Sequence, residues 1–243
     1  MAFSTRRVNA LFKKEIKDFG KNKNVSLMCL LPILFSFIYA QLLGDSTSKD
    51  SMSKPDILIL CLGMSLSLVA SMIMAMLIAE EKEKNTLRTL MLSAVSPLEF
   101  LSGKAALTFI TSEVINSAIF FIVGIDALYF GKYLLITTLV LFSMIEIGAL
   151  VGIMSPNQMS TGVVGMPVIL ILFLLPNFAR LNKTLETIAN CLPNYHMNVM
   201  LEKVFKGEVL GTESAKGIAV ILVWIVISAA AFALVYKNRG IDK

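Results

Sequence analysis

Six apolar runs frame this chain, at about 25–44, 57–79, 105–125, 133–154, 159–178 and 217–236. Each is close to the ~20 residues that a helix needs to cross a hydrocarbon core. A spanning segment must satisfy its own backbone polar groups, so isolated runs of this length predict helices rather than strands. Between the second and third runs lies a charged island, 80–104, which sets Glu80, Glu81, Glu83 and Glu99 against Lys82, Lys84, Arg88 and Lys104. Within it Leu87, Leu90, Met91 and Ala94 recur at helical spacing, with Arg88 and Thr89 on the other side. That pattern predicts a short amphipathic helix, which Pro97 then breaks. A structured helix at the membrane surface is what a membrane protein offers to a soluble partner.

The flanking segments carry weaker patterns. Residues 4–23 are basic and align Val8, Leu11, Phe12, Ile16 and Phe19 on one helical face, as an amphipathic helix lying in the bilayer interface would. Residues 45–56 read as a polar, Ser-rich loop, and 126–132 and 155–158 as tight turns. In 179–216, Leu181, Leu185, Ile188 and Leu192 have helical spacing, as do Val199, Met200, Val204 and Phe205 beyond Pro193. Two short helices are expected there, forming a hairpin that dips into one leaflet or caps the bundle before span six.

Composition fixes the class. Hydrophobic residues make up 56% and charged ones 16%, against roughly 45–50% and about 25% in soluble domains. The expectation is an all-α membrane protein with one transmembrane domain over 1–243. The net charge of +5 is not a nucleic-acid signature, because the bases are spread over the loops rather than gathered in one patch with aromatics. With the N-terminus inside, segments 1–24, 80–104 and 237–243 hold most of the 22 Lys and Arg. The positive-inside rule then places both termini and the island in the cytoplasm and 179–216 outside the plasma membrane. Three cysteines without paired spacing give neither a disulfide framework nor a metal motif. No short apolar core with a small-residue cleavage site follows the basic start, so the first span is expected to serve as its own insertion signal.

The run Glu81-Lys82-Glu83, then Thr86-Leu87, Pro97 and Gly103-Lys104 entering span three, resembles the permease subunit of type-2 ATP-binding-cassette (ABC) exporters. The likeness continues through LVGIMSPNQMSTGVVGMPVILILFLLP between spans four and five and covers essentially the whole chain. The departure is Asn85, where that family usually has Gly; Asn is the next-best residue for a left-handed backbone position. The resemblance implies that the island is a coupling helix seated on a separate cytoplasmic ABC ATPase, with Glu80, Glu81, Lys82, Glu83, Asn85, Thr86, Leu87, Arg88, Leu90, Met91 and Pro97 in contact with it or shaping it. It also implies a second permease copy, identical or a related paralogue, with the transport path between the two. The chain has no G-x-x-x-x-G-K-[ST] loop: Leu98 stands where the first Gly should be and Ala105 follows Lys104. ATP and Mg are therefore expected in the partner, and no cofactor, metal or catalytic constellation in this chain.

Glu113 and Glu146 are what a bare bundle does not explain, since a carboxylate at membrane depth costs a few kcal/mol or more. Counted from the inner ends of their apolar runs, both lie roughly 12 Å deep, and the adjacent spans make them candidate neighbours. They and Asn116 are candidates for the transport path. The bland alternative is a pair of protonated, hydrogen-bonded acids with Asn116 and Ser143 as partners. Gly148-x-x-x-Gly152 is a close-packing motif, with bundle packing as the plain reading and a dimer contact as the sharper one. Gly165, Pro167 and Pro32 are candidate hinges or ordinary helix breaks. His196, alone, reads as an interfacial polar residue rather than a metal ligand. Three functions stay open: an exporter permease for a hydrophobic or amphipathic substrate such as a peptide or drug, a non-transporting anchor or immunity subunit that docks an ATPase, and a proton-coupled transporter or intramembrane enzyme.

Overall fold

The computed structural model describes residues 4–44, 52–86, 96–209 and 211–239. Among them every regular element is helical, and six helices are long and apolar enough to cross a membrane. Helix α1 (Thr5–Phe19) precedes α2 (Lys23–Leu42), the first span. The second span is built from α3 (Lys54–Met64), a π-helical stretch (Ser65–Ala70) and α4 (Ser71–Glu83) in one continuous rod. Spans three to five are α5 (Pro97–Val123), α6 (Phe130–Met154) and α7 (Gln158–Phe178). Two short helices, α8 (Lys183–Ala189) and α9 (Pro193–Phe205), stand before the sixth span, α10 (Thr212–Arg239). The amphipathic helix expected around Leu87, Arg88, Leu90 and Met91 lies outside the described residues.

Two spans reach into what reads as a loop. Helix α4 continues through Glu80–Glu83, and α5 begins eight residues before its apolar run. The cause is local. Ser96 accepts a hydrogen bond from the Glu99 N–H at 3.2 Å, while the Glu99 carboxylate accepts from the Ser96 N–H at 2.8 Å. This reciprocal capping box satisfies two of the orphan donors at a helix start. Pro97 stands in that first turn, where its missing N–H costs nothing. It therefore opens α5.

The second span is the axis of the bundle and is buried along nearly all its length, whereas α2, α7 and α10 expose most of their apolar side chains. Lipid offers no hydrophobic drive between helices, so close backbone contact carries the packing. Gly148 and Gly152 supply it. A Cβ on Gly148 would stand 2.2 Å from the Ser71 carbonyl oxygen, and one on Gly152 would stand 2.7 Å from that of Ala75. The Gly-x-x-x-Gly face is thus filled by α4 of the same chain. Gly165 likewise lets α7 approach the Val151 side chain, since a Cβ there would stand 2.8 Å from it. Both α2 and α7 run unbroken through Pro32 and Pro167.

The π-helical stretch turns hydroxyls toward its neighbours. Ser65 donates to the Asn116 side-chain oxygen at 2.7 Å, and Ser67 accepts from the Asn194 amide at 2.9 Å. Asn194 also donates to the Leu172 carbonyl, and Tyr133 to the Asn116 carbonyl. Helix α9 therefore packs its buried face, including Asn194, Met197 and Leu201, among the spans. Helix α8 differs: Leu181 just before it and Ile188 on it are exposed, while Ala189 at its end is buried.

Candidate functional site

The last turn of α4 is bonded to four other elements, and each bond follows from the residue that supplies it. Glu81 is nearly fully buried, and its carboxylate accepts from Lys14 of α1 at 2.5 Å and from Lys104 of α5 at 3.2 Å. Lys104 is 2% exposed and also pairs with Glu15 of α1 at 2.7 Å. Lys82 donates to the Ile153 and Ser155 carbonyls at 2.8 and 2.7 Å, so a cation caps the C-terminal end of α6. Glu83 accepts from the Gln158 backbone N–H at 3.0 Å, and Glu80 from the Gln158 side-chain amide at 2.8 Å. These two acids thus hold the N-terminal end of α7, where negative charge suits the helix dipole.

Helix α1 is fastened at both ends of one face. Arg7 pairs with Glu99 at 2.8 Å, and the Ser4 N–H donates to the same carboxylate at 2.6 Å. Further along, Gly103 lets the helices cross closely, since a Cβ there would stand 2.9 Å from the Leu11 Cβ. Next to that crossing Lys104 reaches Glu15. Burial pushes the Glu15 carboxyl above the ordinary carboxylate range, against the charge of Lys104 and its hydrogen bond. Burial also opposes the charge on Lys14, but the hydrogen bond to Glu81 and its charge outweigh that and raise the Lys14 ammonium.

Beyond Glu83 the chain turns sharply. Asn85 has φ of 55°, the left-handed conformation that Gly or Asn adopts at least cost. The Thr86 hydroxyl bonds back to the Glu81 carbonyl at 3.2 Å and to its carboxylate. The segment leaving toward 87–95 is therefore tied at its root to the same acid that holds α1 and α5. Glu80, Glu81, Lys82 and Glu83 thus all have partners inside the chain.

The two membrane acids stand apart. Glu113 accepts from the Thr138 hydroxyl at 2.8 Å, and Thr138 lies eight residues before Glu146 on α6, ~12 Å along the helix axis at ~1.5 Å per residue. Counted from Pro97, Glu113 is ~24 Å along α5, which is why its depth does not match that of Glu146. The partners also differ from expectation: Asn116 is engaged by Ser65, and Ser143 donates to the Ile221 carbonyl at 3.4 Å. One oxygen each of Glu113 and Glu146 is buried without a hydrogen-bond partner among the described residues. His196 contacts the Asn190 carbonyl through Nε2 at 2.8 Å and packs beside Gly217.

A family model described as ABC-2 family transporter protein matches residues 41–236. The chain belongs to the ABC-2 transporter family. No curated protein matches it. This ABC-2 chain is a multi-pass membrane protein and a transmembrane transporter component, in a family that implies a partner ATPase subunit and generally lacks a nucleotide-binding domain of its own. The matched range begins after α1, so the charged face of α1 in this ABC-2 chain falls outside the family signal. Sequence reading missed Glu15, Lys14, Arg7 and Gln158. A signal for Glu15 existed: it is an acid at i+4 from Leu11 and i+3 from Phe12, on the apolar face of its helix.

Proposed function

We propose that this chain is the permease subunit of an ATP-driven exporter, coupled to a cytoplasmic ATPase through the segment 80–104. The observation that carries this is the charged node. A push on residues 87–95 reaches Glu81 through Thr86, and from the end of α4 it reaches α1, α5, α6 and α7 together. Buried ion pairs and capped helix ends transmit displacement better than a flexible loop, because breaking one leaves an uncompensated charge. In this reading the node end, with both termini, faces the cytoplasm. Residues 179–216 lie on the other side of the plasma membrane. A second copy or paralogue covers part of the exposed apolar faces of α2, α7 and α10, and the substrate is hydrophobic or amphipathic, such as a peptide or drug. Glu113, Asn116 and Glu146 line or gate the path; the unpartnered carboxylate oxygens support this.

The test is co-purification with the ATPase subunit encoded beside the chain. The informative substitutions are Leu87→Asp, Leu90→Asp and Met91→Asp, because Glu81 and Glu83 are occupied within the chain. Loss of the ATPase from an otherwise well-folded chain supports docking at this segment. Full retention of the ATPase by the triple variant removes it. Transport by Glu113→Gln and Glu146→Gln variants at normal levels would assign those acids a structural role.

A further inference from the structure

At the end of the bundle away from the node, a cavity of about 640 Å³ opens between the start of span two, the end of α7 and the helices α8 and α9. That volume falls within the ~300–1,000 Å³ of small-molecule sites. Its floor is apolar, with Ile59, Leu60, Phe173 and Val199. Its charged residues are Asp56, Glu186, Glu202 and Arg180. Arg180 pairs with Glu202, and among the described residues no cation pairs with Glu186 or with Asp56, whose carboxylate accepts from the Ser53 hydroxyl at 2.5 Å. The Tyr195 hydroxyl donates to Glu186 at 3.4 Å. Burial first, then the charge of Glu186 and its hydrogen bond, hold the Tyr195 phenol above its ordinary range.

The second observation is independent of these charges. Asn198, 8% exposed, lines the cavity, and its side-chain oxygen is buried with no hydrogen-bond partner among the described residues. An unmatched buried acceptor is costly, and such a group in a native chain calls for a partner such as a ligand or water. One turn earlier on the same face, the Asn194 amide is spent on Ser67 and Leu172, which fixes this turn of α9 against its neighbours and leaves the Asn198 side chain its own rotation.

We propose that this cavity binds an amphipathic cation bearing N–H donors, a primary ammonium or guanidinium on an apolar body. The nitrogen donates to the Asn198 oxygen, which side-chain rotation brings from its buried position into the cavity, while the charge faces Asp56 and Glu186 and the apolar body lies against Phe173. A free cationic amphiphile and the ammonium headgroup of phosphatidylethanolamine share this chemistry. Binding needs neither the ATPase nor transport, so the site stands or falls apart from the exporter reading.

The experiment is equilibrium dialysis of 4-phenylbutylammonium against the full chain in phosphatidylcholine nanodiscs. Neutral 4-phenylbutanol and the N,N,N-trimethyl ammonium are the comparison probes. The expected result is saturable binding at one site per chain. The alcohol binds at least tenfold more weakly, because it lacks the charge. The trimethyl ion is also weaker, because it has no N–H for Asn198. Asn198→Leu weakens the primary ammonium about tenfold and removes its advantage over the trimethyl ion. Should that variant fail to elute as folded protein, the exposed-side pair Asp56→Asn with Glu186→Gln carries the test, with a similar loss expected. Phosphatidylethanolamine added to the nanodisc competes if the lipid headgroup is the natural occupant and does not if a free amphiphile is. Equal, non-saturable uptake of all three probes means that the cavity holds only water, and overturns the proposal. So does unchanged binding by folded Asn198→Leu, or by the paired carboxylate variant where it carries the test.

Discussion

Replacing Lys104 with Met tests the node in the most quantitative way. Lys104 is 2% exposed and stands between two nearly buried carboxylates, Glu15 at 2.7 Å and Glu81 at 3.2 Å. Removing one partner of a buried pair costs about 3–5 kcal/mol, because the remaining charge is left without compensation. Here Lys14 remains 2.5 Å from Glu81 and 4.0 Å from Glu15, but it is 44% exposed and compensates only in part. The expected loss is therefore near the lower end, about 3 kcal/mol. The assay is reversible unfolding of the purified chain in mixed micelles, run as a double-mutant cycle with Glu15→Gln. Adding Glu15→Gln to Lys104→Met removes an unpaired buried carboxylate and should recover about 1–2 kcal/mol, a coupling that independent sites do not show. Single and double variants that add within about 0.5 kcal/mol would refute the reasoning, as would a Lys104→Met chain as stable as wild type.

Further predictions follow from the same geometry. Gly148→Leu should prevent α6 from packing on α4, because even a Cβ stands 2.2 Å from the Ser71 carbonyl oxygen; little folded chain should be recovered by size exclusion, whereas Gly162→Leu, whose Cβ meets nothing within 4 Å, should behave as wild type. Lys82→Met should uncap the end of α6 and cost on the order of 1–3 kcal/mol, the usual loss of charge-assisted hydrogen bonds, with faster amide exchange confined to the last turn around Ile153. Burial raises Glu15 in the folded chain, so the folded state holds that proton more tightly than the unfolded one. Its contribution to stability is therefore greatest at low pH and falls as pH rises from the ordinary Glu value of about 4.3 through the raised one; Glu15→Gln should remove that part of a stability–pH curve.

The six-helix class was legible because each span is an unbroken apolar run of spanning length. The ends of the spans were not. Glu80–Glu83 and Lys104 read as loop residues because a hydropathy pattern counts a charge as a stop. In the fold each is on a helix, its charge matched by α1 or by a helix end. The close-packing glycines were legible as a motif, but their partner was not, because the carbonyls of Ser71 and Ala75 that they meet carry no sequence signal. The left-handed Asn85 was readable by its residue type. Glu113 and Glu146 were readable as unusual but not as separated, since their relative depth depends on where α5 starts. The cavity beside Asn198 was invisible, because it joins two segments more than a hundred residues apart, 52–60 and 173–202.

The most direct measurement is ATP hydrolysis by the neighbouring ATPase subunit, reconstituted with and without this chain in liposomes. The account predicts a stable complex whose hydrolysis rate depends on the chain. It also predicts that the rate is altered in the Lys104→Met variant, although that variant touches no nucleotide. An ATPase that neither binds the chain nor changes its rate when the chain is present would contradict the claim that the node at the end of α4 couples the membrane spans to ATP hydrolysis.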